Sequence, residues 1–136
     1  MKISLKKILK SFQYSFNGIK IHSQQHNFVV MLISAFFVIL LGFIFQISYF
    51  EWLILILIIS LILCLETINT TLEKTWDYLE PNFSDKIKMF KDLMAGGVAI
   101  AIFTSIIIGL MIFLPKIIDF LLKIYIFFSQ KKLLFY

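Results

Sequence analysis

Residues 28–47 read FVVMLISAFFVILLGFIFQI and residues 52–72 read WLILILIISLILCLETINTTL, with only Ser48 to Glu51 between them. Each run has about the 20 residues that a helix needs to cross a hydrocarbon core of about 30 Å. The first run carries no charge, and the second carries one, Glu66. So short a connection forces the pair into an antiparallel hairpin of membrane-spanning helices. Tyr49 and Trp52 fall at its turn, where interfacial aromatics collect. A third uncharged run, residues 93–114, reads LMAGGVAIAIFTSIIIGLMIFL and stops at Pro115. The predicted fold class is all-α integral membrane: a helical bundle with three transmembrane helices between residues 28 and 115.

Composition supports this class. Of 136 residues, 60% are hydrophobic and 15% are charged, against about 25% charged in ordinary soluble domains. A soluble protein of this size could not bury so much apolar surface, so a bilayer is part of its solvent. All 13 basic residues are lysine, which removes the two-pronged guanidinium grip on phosphate. The net charge of +5 does not indicate nucleic acid, because the lysines flank apolar spans and are explained by anionic lipid. Cys64 is the only cysteine, so neither an internal disulfide nor a thiolate metal site can form, and a packing role is expected.

Ahead of the first span, Leu5, Ile8, Leu9, Phe12, Phe16 and Ile19 repeat at the spacing of one helix face, interspersed with Lys2, Lys6, Lys7, Lys10 and Lys20. Residues 1–27 therefore read as an amphipathic helix in the membrane surface, and they lack the compact apolar core of a secretory signal. Residues 73–92 form a charged segment, predicted as a loop, with a turn at Pro81-Asn82. The N-terminal helix and this segment together hold nine lysines, whereas the Ser48–Glu51 turn has none. Lysines beside spans stay in the cytoplasm, which places the N-terminus and the 73–92 segment there. Residues 116–136 then lie outside, as an interfacial extension, although they carry Lys116, Lys123, Lys131 and Lys132. Ile117–Phe128 is apolar but short, and it is interrupted by Asp119 and Lys123; a re-entrant fourth pass is the alternative. The whole chain reads as one membrane-embedded domain.

Chemistry concentrates in the string Glu66-Thr67-Ile68-Asn69-Thr70-Thr71-Leu72-Glu73-Lys74-Thr75-Trp76-Asp77. At about 100° per residue, Glu66, Asn69, Glu73 and Asp77 share about 80° of one helix face. A charge at the bilayer centre costs about 2.5–3.5 kcal/mol on insertion scales. Glu66 follows 14 uncharged residues and so demands an explanation. A lone Glu can be neutral and fix helix packing. Four polar groups in line suit a hard cation with oxygen ligands, with a carboxylate placed to take a proton. Lys91-Asp92 enters the third span ahead of Ala95-Gly96-Gly97; the lysine alone would read as a snorkelling anchor, and the small residues permit close approach by a helix or ligand. The glycines lack the spacing of a phosphate-cradling loop. His22 and His26 fit no zinc pattern and read as surface-helix residues.

These residues resemble the prokaryotic diacylglycerol kinases, a family that includes the undecaprenol kinases of Gram-positive bacteria. The resemblance runs over residues 11–116. It is most specific at Glu66-x-x-Asn69-Thr70-x-x-Glu73-x-x-x-Asp77 and Lys91-Asp92-x-x-Ala95-Gly96. Ser11-Phe12-x-Tyr14-x-Phe16-x-Gly18, Asn27-Phe28 and Phe113-Leu114-Pro115-Lys116 add to it. It implies a surface helix and three transmembrane helices, assembled as a homotrimer with active sites shared between protomers. It implies an enzyme that moves the γ-phosphoryl group of ATP, with Mg2+, onto the hydroxyl of a membrane lipid at the cytoplasmic surface of a bacterial-type membrane. Diacylglycerol, giving phosphatidic acid, is the first acceptor expected and undecaprenol the alternative. Glu66 would be the catalytic base and Glu73 a metal ligand. Asn69, Glu73, Asp77, Lys91 and Asp92 would serve the nucleotide. Many relatives carry a Glu, a second metal ligand, where Gln25 stands here; its neutral amide implies weaker metal affinity. The reading from another class is a non-catalytic or ion-conducting assembly, which would need neither Lys91 nor ATP.

Overall fold

The computed structural model describes residues 4–82 and 84–133, with side chains as far as residue 130. Lys2 lies outside the described residues. The described chain is all helical: α1 (Leu5–His22), α2 (His26–Ile44), α3 (Tyr49–Leu79) and α4 (Asp85–Leu133). Three of these, α2, α3 and α4, are long and apolar enough to cross a membrane. No more than 22% of any span's most apolar window is buried within the chain, which leaves the remainder for lipid or for other membrane-embedded protein to cover. α1 buries none of its residues. Leu9, Phe12, Phe16 and Ile19 are all exposed, as a helix lying on a bilayer requires.

The end of the bundle at the α2–α3 turn is the best packed. Gln46 takes a left-handed backbone, φ 48°, which reverses the chain. Ser48 then caps α3: its N–H donates to Glu51 Oε2 at 2.6 Å, and its hydroxyl accepts from the Glu51 N–H at 3.4 Å. This reciprocal box satisfies donors that a helix start otherwise leaves unpaired. Gly42 is required here, because a Cβ would lie 2.8 Å from the Trp52 ring. Ile47, Leu55, Ile112 and Phe113 form the core, and Phe45 packs edge-on against Phe113 and Phe120. Lys116 pairs with Glu51 at 3.1 Å. α3 lies against both α2 and α4, so it is the element on which the other two spans are mounted.

Several boundaries differ from those read in the sequence. The turn falls at residues 45–48, because the Ser48–Glu51 box starts α3 at Tyr49. The first span begins at His26 and the surface helix ends at His22, so α1 is shorter than residues 1–27. Residues 73–92 are largely helical: α3 runs on to Leu79 and α4 starts at Asp85. The charges of Glu73, Lys74 and Asp77 signal departure from the bilayer without breaking the helix. At 31 residues, α3 is about 46 Å long, well over the hydrocarbon thickness of about 30 Å. Trp76 stacks on Phe90 at 5.7 Å and 14°, and Lys91 pairs with Asp77, which ties the two extended ends together. Nor does α4 stop at Pro115; it continues through that residue to Leu133. A proline removes one hydrogen bond and can kink a helix, but the Lys116-Ile117-Ile118 that follows offers no turn residue to end it.

Candidate active site

A cleft of about 860 Å3 opens between α2 and α4 with α3 as its floor. Most of its lining is aliphatic. At one end lie His26 and Asn27 from α2, Glu66, Asn69 and Glu73 from α3, and Ala95 from α4. The helical spacing of 3, then 4, brings the three α3 residues to one side, and the packing of α2 and α4 encloses them. Glu66 is 2% exposed and Asn69 is 5% exposed, so the stripe read from the sequence is buried at the point where chemistry would need it.

Two contacts organise the carboxylates. The Thr70 hydroxyl donates to Glu66 Oε1 at 3.4 Å, and Thr70 is itself buried. The Asn69 amide NH2 donates to Glu73 Oε1 at 3.3 Å. That bond leaves Asn69 Oδ1 buried with no donor, a condition that costs about 1–3 kcal/mol unless something fills it. An unpartnered amide oxygen beside a carboxylate offers hard oxygen donors, which suits a hard cation or a donor on a ligand. Among the described residues no group of three His, Cys, Asp or Glu gathers as a metal cage. Mg2+ needs none, since it commonly keeps one or two carboxylates and takes its other ligands from water and phosphates.

The remaining expected residues are placed differently. Asp77 and Lys91 form an ion pair across the ends of α3 and α4 and do not line the cleft. Asp92 is exposed and also outside it. Gln25 is the N-cap residue of α2 and makes no side-chain capping bond; it directly precedes the cleft residues His26 and Asn27. His26 therefore belongs to the cleft, not to the surface helix. His22 closes α1 and packs on the buried Phe28, ring centroids 5.5 Å apart, which seats the surface helix at the start of α2. Gly96 and Gly97 have open space where a side chain would be. Thr70 was given no role in the sequence reading, although its position four residues after Glu66 is the spacing at which helical side chains meet. His26 carried no such signal, because only packing of α2 onto α3 brings it to the carboxylates.

Such an arrangement, a polar end with a buried carboxylate on a long apolar cleft inside three spans, suits a membrane protein that handles an amphiphile. The comparisons give it a family. The model for "Prokaryotic diacylglycerol kinase" matches residues 13–113. The undecaprenol kinase of Bacillus subtilis (strain 168) is 36% identical over 114 residues, covering 83% of this chain and 93% of that protein. The chain belongs to the prokaryotic diacylglycerol kinase family, and is thus a lipid kinase that transfers phosphate to an alcohol. No solved structure matches it.

Proposed function

We propose that the chain transfers the γ-phosphoryl group of ATP to the primary hydroxyl of a long-chain polyprenol, at the cytoplasmic surface of its membrane. The observation that carries the acceptor is the length of the cleft. Its lining on α4 runs from Ala95 to Phe113, about 27 Å of helix, which is nearly the full hydrocarbon thickness of about 30 Å. A diacylglycerol tail fills one leaflet, whereas a prenyl chain can follow a cleft through both. The undecaprenol kinase relative supports the same acceptor. Diacylglycerol, the acceptor expected first, remains the second reading, favoured by the family model's description.

The chemistry asks for positioning and charge neutralisation. The lipid hydroxyl would sit at the Glu66 end with its chain along the aliphatic walls. Glu66, held by Thr70, receives the proton as the lipid oxygen bonds to the γ-phosphorus. The bond from that phosphorus to the oxygen bridging to the β-phosphate breaks, and ADP leaves. Mg2+ would be held by Glu73, with Gln25 as the second candidate ligand, and would offset phosphate charge. Lys91 and Asp92 would meet the nucleotide at the helix ends, Lys91 exchanging Asp77 for a phosphate. The unpartnered flanks of Gly96 and Gly97 leave room for a neighbouring protomer, in keeping with a homotrimer that shares its sites.

The test is phosphate transfer from labelled ATP in vesicles, with undecaprenol and diacylglycerol offered separately. Faster transfer to undecaprenol that vanishes in Glu66→Gln supports the proposal. Faster transfer to diacylglycerol installs the second reading. No transfer to either from assembled protein would favour the non-catalytic or ion-conducting assembly.

A further inference from the structure

The last third of α4 lies beyond the 13–113 family match and serves none of the chemistry above. Its pattern is specific. Lys116, Asp119, Lys123 and Gln130 fall within about 60° of arc at about 100° per residue. Over residues 117–128 the other side of the helix is apolar and exposed, with Ile118, Leu121, Tyr125 and Phe128 opposite the stripe. Lys116 fixes which way the stripe points, since it reaches Glu51 on α3. The polar stripe therefore runs along the side of α4 that faces the bundle. The same pair fixes its level: Glu51 precedes Glu66 by 15 residues, about 22 Å along α3, so residue 116 lies at the membrane face opposite the active site.

A straight continuation would carry residues 117–128 into water with their apolar sides bare, which the hydrophobic effect opposes. We infer that in a bilayer the helix bends outward at Pro115, giving up the Phe45–Phe120 contact, and lies in the bilayer surface on the face opposite the kinase site. The geometry favours this occupant over a second copy of the chain. When a helix with an inward stripe tips away from the bundle, that stripe turns up towards water and the opposite, apolar side turns down onto lipid. A wide apolar side with a narrow charged edge suits an interface, and the lysines complement anionic headgroups. A second chain would have to cover an apolar arc of about 300°, more than one helix partner can reach.

The test uses the full chain with Cys64→Ala, reconstituted in phosphatidylcholine–phosphatidylglycerol vesicles. Single substitutions such as Ile118→Cys, Asp119→Cys, Leu121→Cys, Lys123→Cys and Tyr125→Cys are spin-labelled across residues 117–128. Collision with an aqueous nickel chelate is compared with collision with oxygen. The expected result is a rise and fall of period about 3.6 residues, chelate access peaking at positions 119 and 123 and oxygen access at 121 and 125, all at shallow depth. Chelate access at every position would overturn the inference, as would depths passing through the bilayer centre, which mean a fourth pass. Low access to both probes on the apolar side would overturn it in favour of a protein partner. Helical content of each variant guards against misfolded samples.

Discussion

Thr70 and Glu66, four residues apart on α3, are both buried and share a hydrogen bond of 3.4 Å from the hydroxyl to Oε1. A buried carboxyl held at one oxygen leaves the other to meet a substrate, which is the basis for the proposed roles of Glu66 as base and Thr70 as its positioner. Glu66→Gln should lower turnover by about 10²–10⁴-fold, the usual worth of a general base, with helical content unchanged. Thr70→Val keeps the shape and removes the donor. A neutral hydrogen bond is worth about 0.5–1.5 kcal/mol, so kcat should fall by up to about tenfold. The KM for lipid should hold, and Thr70→Ser should restore the rate. Steady-state kinetics in vesicles check both.

Glu73 and Gln25 are the proposed metal ligands, and their substitutions should move the magnesium requirement in opposite directions. Glu73→Gln removes a charge from the donor set and should raise the Mg2+ concentration for half-maximal rate. Gln25→Glu adds one and should lower it. A magnesium titration at saturating ATP reads both, and a Gln25→Glu variant with an unchanged midpoint would remove Gln25 from the site.

The Asp77–Lys91 pair joins α3 to α4 at the surface, where side chains remain partly solvated. Exposed pairs contribute about 0.2–1 kcal/mol, so Asp77→Asn should barely change thermal stability. Lys91→Met should raise the KM for ATP far more than it lowers stability. Comparing melting with ATP kinetics separates a structural tie from a nucleotide contact.

Gly42 touches the ring of Trp52 with no space for a methyl group. Gly42→Val should force the hairpin apart at its best-packed end, at a cost of about 1–3 kcal/mol for overpacking. Thermal unfolding in detergent should show it. Trp52→Ala in the same chain should recover part of the loss, because it removes the clash.

The chain's own order of residues determined the class, the three spans, the surface helix and the identity of the polar stripe. Those features rest on local periodicity and on the length of helix a bilayer demands, both of which are carried by neighbours in sequence. Boundaries were less legible, since charge marks where a helix meets water and not where it ends. Residues 73–92 therefore read as one loop between spans, although the helix face that carries Glu73 and Asp77 runs on to Leu79, and Pro115 read as a stop although the helix passes through it. The division of the stripe had to await packing. Glu66, Asn69 and Glu73 are enclosed because α2 and α4 close over that stretch of α3, whereas Asp77, on the same face, lies past the enclosure and pairs with Lys91 instead. The pairing of Asn69 with Glu73, the idle Asn69 Oδ1 and the arrival of His26 depend in the same way on how side chains settle in the bundle. A helical wheel records direction alone, and burial is a property of what stands opposite.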